Sequence, residues 1–301
     1  MRTAFVEAML QYVVGRDVLF LTGDLGFNAL EPLQEFLGSR FINCGVAEQN
    51  MIGVAAGLAR SGHEAWVYSI APFCYARPFE QIRNDICLNR LPVRLVGNGG
   101  GYAYGVMGPT HHALEDYGIL LTLPRMRVHV PARDEDILPI LTCMGSDCCP
   151  AYLRLGRDEF PTGAHIETYA QWRHAMIGEG PIVIACGPIA GLVYSTLGQD
   201  PGRPDLWIVS QLPLLDQEFP ILLQERLAER SPLLVIEEHG LHGGVGMVLT
   251  HLLAQKGIWP SRFVHLYAKG YISGRYGSQA FHRRESGLDS TAIRHAYIGL
   301  T

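Results

Sequence analysis

The sequence predicts an α/β protein of two doubly wound domains, each built on a mostly parallel sheet. Three observations carry that expectation. Short apolar runs alternate with helical patterns along the chain, which is what parallel strands joined by right-handed helical crossovers produce. The 301 residues are 48% hydrophobic and only 18% charged, enough apolar material for about two ordinary cores and for surface buried against partners. Residues 157–178 carry turn residues and polar groups without a strong period, which reads as a linker. The expected division is 1–165 for the first domain, 166–178 for the linker and 179–301 for the second.

Taken in order, the strand candidates of the first domain are the apolar runs at 18–21 (VLFL), 65–68 (AWVY), 93–96 (VRLV) and 127–130 (RVHV). Those of the second are 182–185 (IVIA), 207–209 (WIV), 233–236 (LLVI) and 263–266 (FVHL). Helical patterns fall between them at 49–60, 78–89, 135–144, 218–230 and 245–256. Open parallel sheets bind ligands beyond the carboxyl ends of their strands, so the loops at 23–26, 43–48 and 97–108 draw attention.

Composition removes several classes of function. A net charge of −5 with no basic run does not suit a nucleic-acid-coating or disordered protein. No stretch reaches the roughly 18–20 continuous apolar residues that span a bilayer. The start, MRTAFVEAML, has an early Glu7 and no signal-like apolar core, so the expected compartment is the cytoplasm. Seven cysteines, irregularly spaced and without C-x-x-C, fit that compartment. Cys143, Cys148 and Cys149 lack a histidine pair at zinc-site spacing and read as plain thiols.

The most informative segment is 41–50, FINCGVAEQN, where a short extended run meets an Ala/Gly-rich helix with Glu48 at the junction. Local physics alone makes Glu48 an N-terminal helix carboxylate, stabilised by the macrodipole by about 0.3–1 kcal/mol. The stretch GVAEQNMIGVAAGLA (45–59) resembles the pyrimidine-domain motif of transketolases and 1-deoxyxylulose-5-phosphate synthases. The likeness continues through SIAPFCYARPFEQIR (69–83), GVMGPTHHALEDYGILLTLP (105–124), PARD (131–134) and EHGLHGGVG (238–246). These segments keep their order and cover nearly the whole chain.

The resemblance implies a transketolase pyrimidine-binding domain followed by a transketolase C-terminal domain, and a thiamine-diphosphate-dependent two-carbon transfer. It implies that Glu48 contacts the cofactor's aminopyrimidine and shares a proton with it, preparing loss of the thiazolium proton. His111, in the GPTHH segment, would reach substrate oxygens, an imidazole being able to donate or accept a proton near neutral pH. His112 is a second claimant, or one of the two merely caps the following helix. Phe73, Cys74 and Arg77 fall where the family holds the pyrimidine ring. Arg154 would grip the acidic or phosphate end of the substrate, or serve as a strand-end surface arginine, with Arg157 a weaker claimant.

Four departures shape the expectation. Ala71 and Cys74 stand where the family places aromatics, one of which stacks on the pyrimidine. Met107 replaces the aspartate of the G-E-D-G-P-T-H pattern. Gly99 stands twelve residues before His111, where the family often has a histidine. Those two polar losses favour a smaller or less polar donor such as pyruvate, or a modified sugar. Finally, the G-D-G…N motif for diphosphate and Mg²⁺ is missing; Gly23-Asp24-Leu25 is a near miss in the wrong order. The metal half is therefore expected from an N-terminal diphosphate-binding partner subunit, most simply in an α₂β₂ heterotetramer. Alternatives are the β subunit of a 2-oxoacid dehydrogenase E1 or acyloin-forming enzyme, and a non-catalytic paralogue that scaffolds a complex. The glycine turn 240–246 is expected to be a packing element, not a phosphate loop.

Overall fold

The computed structural model describes residues 1–200, 202–215 and 219–301. The first part runs α1 (Arg2–Tyr12), β1 (Val18–Thr22), α2 (Glu31–Leu37), β2 (Phe41–Asn43), α3 (Glu48–Arg60), β3 (Glu64–Ile70), α4 (Ala71–Tyr75), α5 (Phe79–Gln81), β4 (Arg94–Asn98), α6 (Asp116–Leu120), β5 (Arg127–His129), α7 (Ile137–Ser146) and β6 (Ala151–Leu155). It continues with β7 (Trp172–Met176), β8 (Ile182–Cys186), α8 (Ile189–Leu197), β9 (Asp205–Val209), β10 (Gln211–Leu212), α9 (Ile221–Ala228), β11 (Leu233–Glu237), α10 (Val245–Lys256), β12 (Phe263–Leu266), α11 (Gln279–Ser286) and α12 (Ser290–Ile298).

These strands make two sheets. The first has the order β10-β5-β6-β4-β3-β1-β2 and is parallel except where β10 meets β5. The second has the order β12-β11-β8-β9-β7 and is parallel except where β7 meets β9. All eight apolar runs read as strands are strands; seven lie inside a sheet, where burial on both faces requires such runs, and β12 is a half-buried edge strand.

Three expectations shift. Residues 172–176, inside the stretch read as linker, form edge strand β7, whose Arg173 and His174 mask its period. The helix expected over 78–89 is split: α5 is one turn long and gives way to a π-helical turn, Ile82–Cys87. The helix expected over 218–230 begins at Ile221, after Pro220; residue 218 lies outside the described residues. Strand β10 follows β9 by one residue yet pairs with β5, so the second part of the chain reaches back onto the first sheet.

The core has three parts. One cluster of buried side chains joins the facing sides of the two sheets, running from Leu21, Met51 and Val67 through Tyr117 to Ile184, Leu233 and Leu249. A second packs α1, α2 and α7 on the outer face of the first sheet, and a third packs α8 and α12 on the second. Each fully buried Leu, Ile or Phe contributes about 1.5–3 kcal/mol, so the shared cluster fixes the sheets relative to one another. No helix among the described residues is long and apolar enough to cross a membrane.

Candidate active site

Strands β1, β2, β3 and β4 run parallel, so the loops that leave them gather along one rim. After β2, Asn43 accepts a hydrogen bond from Gly45 N–H at 2.8 Å, and this tight turn throws the chain into α3. Helix α3 buries Met51, Ile52, Ala55, Ala56 and Ala59 against the first sheet. Glu48 is its first residue, so its carboxylate sits at the positive end of the helix dipole.

Glu48 is buried, and its two oxygens accept hydrogen bonds from Arg77 Nη1 at 3.0 and 3.1 Å. Arg77 is half exposed, and its guanidinium lies 3.9 Å over the Phe73 ring. Phe73 comes from α4, which starts directly at the end of β3 with Pro72 in its first turn. The Phe73 ring in turn meets the imidazole of His111 edge-on, 5.2 Å between centroids. Glu48, Arg77, Phe73 and His111 thus form one continuous wall. Glu48 and Arg77 open onto a hollow of about 400 Å³ lined also by Val46, Ala47, Gln49 and Asn50.

His111 is placed by the turn Gly105–Thr110. Gly108 bends it at φ 72°, ψ −159°, a conformation open to glycine and strained for other residues. Thr110 Oγ1 holds His111 Nδ1 at 2.8 Å, which leaves Nε2 directed elsewhere. His112 differs from its neighbour: it is buried, with Nε2 donating to Gly105 O and Nδ1 bonded to Tyr271 Oη, both at 2.9 Å. Burial lowers its pKa. Both nitrogens being used, His112 is a packing residue that ties the turn to the second domain, and it is not brought to the Glu48 wall.

Two other candidates are also relocated. Cys74 is fully buried against the first sheet, and burial pushes its thiol up to about 12. It points into the core, so Phe73 supplies the aromatic face of the site. Arg154 is buried at the end of β6, its Nε 2.8 Å from Asp116 Oδ2 and its Nη2 2.9 Å from the carbonyls of Ala113 and Glu238. Burial alone would lower its pKa; the Asp116 carboxylate outweighs this and keeps it charged. Arg154 therefore fastens the two domains from inside, away from the Glu48 wall. Arg157 lines a different hollow, of about 620 Å³, beside the starts of α11 and α12.

The glycine-rich loops have the same character. Side chains at 97, 100 and 101 would run into Tyr152, Arg154 and Glu238, so that loop is glycine-rich to let the seam close. At the 240–246 turn, Glu237 accepts from Val245 N–H at 2.8 Å and Gly246 N–H at 3.0 Å, and from His265 Nε2 at 2.7 Å. The start of α10 already holds a carboxylate. A further residue, Tyr104, escapes sequence reasoning: its ring lies 5.7 Å from that of His111 and its phenol bonds Asn98. The loss of a polar side chain at Gly99 is the available signal, but nothing local says which residue fills the space.

Known proteins share this arrangement of sheets and loops. The family described as transketolase, pyrimidine binding domain matches residues 1–162. A subunit of an apulose-4-phosphate transketolase from Phocaeicola vulgatus is 27% identical over 285 residues, covering 91% of this chain and 89% of that protein. A 1-deoxy-D-xylulose-5-phosphate synthase from Geobacter sulfurreducens is 29% identical over 277 residues, covering 86% of this chain but 42% of its own. Among solved structures, a split-gene transketolase described as an inactive beta4 tetramer superposes with a TM-score of 0.85 at 24% identity, over 99% of this chain and 97% of that one. That last likeness speaks to fold.

Proposed function

The chain belongs to the family of transketolase pyrimidine-binding domains, and from that premise we propose that it is one subunit of a split, thiamine-diphosphate-dependent ketol transferase in which Glu48 meets the cofactor's aminopyrimidine. The observation that carries this is a buried carboxylate whose two oxygens are engaged by one half-exposed arginine beside an aromatic face. An aminopyrimidine is flat and carries a ring nitrogen next to an amino group. The residues present suit it: Glu48 for the ring nitrogen, Phe73 for the flat face, Arg77 at the rim.

Thiamine diphosphate, when bound, supplies an electron sink for the two-carbon unit in transit. The work of this chain is to hold a proton at the right atoms. Glu48 shares a proton with the ring nitrogen at the start of α3, packed beside Ala47 and the buried Met51. His111, anchored through Nδ1 by Thr110, moves a proton through Nε2 at the donor's carbonyl oxygen. Mg²⁺ and the diphosphate are assigned to the partner. Exposed Val46, Val54, Val106 and Met107 near the same rim support a covering partner. So does the Phocaeicola relative, whose name makes it one subunit of its transketolase and not the whole enzyme. An α₂β₂ assembly acting on a ketose or 2-oxoacid donor in the cytoplasm completes the proposal.

The test is co-purification with the diphosphate-binding subunit, then calorimetry with thiamine diphosphate and Mg²⁺ and a ketol-transfer assay. The pair is expected to bind cofactor where this chain alone does not. Glu48→Gln should preserve assembly and lower turnover by about 10²–10⁴-fold. Equal cofactor binding by the lone chain, or normal turnover by Glu48→Gln, overturns the proposal.

A further inference from the structure

Tyr104 immediately precedes the Gly105–Thr110 turn, where the chain leaving β4 folds back toward the strand end. Its ring fills the space beside Gly99: a Cβ built there would lie 2.1 Å from Cε2 and 2.2 Å from Cδ2. Gly99 has φ +84° besides, so position 99 cannot offer a polar side chain without strain and a clash. The tyrosine occupies that place, and it is not merely filler.

Asn98, the last residue of β4, donates through Nδ2 to the phenolic oxygen at 2.8 Å. The phenolic proton itself has no partner among the described residues. Burial raises the phenol's pKa, so it keeps that proton and acts as a donor. Beside it His111 is fixed through Nδ1, with the two rings 5.7 Å apart and tilted by 56°. Two side chains, each with an uncommitted polar atom, therefore stand together at the end of the wall that begins at Glu48. Met107, on the same turn, is exposed and apolar and reads no hydroxyl.

Resting on the ketol-transfer reading above, we infer that Tyr104 is a specificity-determining residue: its O–H donates to the hydroxyl on the carbon beside the donor's reacting carbonyl, while His111 takes the carbonyl oxygen. A site built to bond a hydroxyl rejects the analogue that lacks it, because its own polar group is then left unpaired. With Met107 silent, selection rests on that one hydroxyl, and hydroxyls further along the donor are read weakly.

Hydroxypyruvate and pyruvate differ by this hydroxyl alone. The experiment measures kcat/KM for both with the purified two-subunit complex, as wild type, Tyr104→Phe, Asn98→Leu and Glu48→Gln. Wild type should favour hydroxypyruvate by about a hundredfold. Tyr104→Phe keeps the ring over Gly99 and should lower kcat/KM for hydroxypyruvate about tenfold, leaving pyruvate turnover and cofactor affinity within about twofold. Asn98→Leu removes the bond that orients the phenol and should shift the donor ratio the same way by a smaller factor. A residue that only packs would change both donors together, so an unchanged ratio in Tyr104→Phe overturns the assignment. If Glu48→Gln remains fully active, the ketol-transfer reading fails and this assignment falls with it. Glu48-dependent turnover with an unchanged donor ratio sinks the Tyr104 assignment alone.

Discussion

The wall around Glu48 and the seam between the two sheets are made of the same side chains: a glutamate or aspartate, an arginine, a histidine and an aromatic ring. They differ in what is left over. In the seam Arg154 meets Asp116 and two carbonyls, His112 spends both nitrogens, and Glu238 accepts from Tyr102 N–H, Gln279 and Arg283. At the wall Glu48 is held by a half-exposed arginine, and His111 has one nitrogen anchored and one to spare. Residue type does not separate chemistry from structure here; unspent hydrogen-bonding capacity at an accessible edge does.

The sharpest way to break this contrast is to unpair the seam. Arg154→Met leaves Asp116 buried without its partner and should destabilise the protein by about 3–5 kcal/mol, read by denaturant unfolding. Adding Asp116→Leu should recover most of that loss, since two apolar groups leave no stranded charge. A single variant as stable as wild type would show that Arg154 is not a fastening.

The adjacent histidines sharpen the contrast at intermediate scale. His111→Asn should cut ketol transfer of the assembled enzyme by about 10–100-fold while moving stability by no more than about 0.5 kcal/mol. His112→Asn should do the reverse: a lower melting temperature, with the residual activity tracking the folded fraction. Exchanged phenotypes would reverse the roles assigned to these two residues.

The smallest effect is one of pH. Burial lowers the pKa of both His112 and His239 in the seam. Each binds its proton more readily in the unfolded chain, so their contribution is fully present above the unfolded value near 6.5 and is lost as pH falls below it. Melting temperature should therefore decline on acidification from about pH 7.5 towards 5, and less so in a His112→Asn background. A flat profile in wild type would mean these rings titrate as exposed ones do.

The same contrast explains what can be read from residues alone. Seven of the eight strands read from the residues lie inside a sheet, where strands covered on both faces are continuous apolar runs; the eighth, β12, is an edge strand that keeps an apolar run of its own. Edge strand β7 and the two-residue β10 are not legible, since an edge tolerates Arg173, His174 and Gln211. Glu48 and His111 stand in the two segments that carry the resemblance, and the fold puts them on one wall with Phe73 and Arg77. Cys74, His112 and Arg154 are misplaced by sequence because whether a side chain faces a cleft or the core depends on partners more than thirty residues away, Asp116 and Tyr271 among them. Tyr104 escapes notice for the same reason: its place is defined by a missing side chain at Gly99.

Glu237 carries a different consequence. A glycine turn opening a helix is normally an electrostatic vacancy, and in many proteins a diffusible anion answers it. Here the chain answers it with its own carboxylate, one strand end away, and His265 and Tyr117 close over the pair. The second domain is thus self-neutralised at the point where nucleotide-binding folds are recruited by ligands. Glu237→Gln would weaken that internal counter-charge, and so marks the position from which an anion site could be evolved or engineered into this half of the molecule.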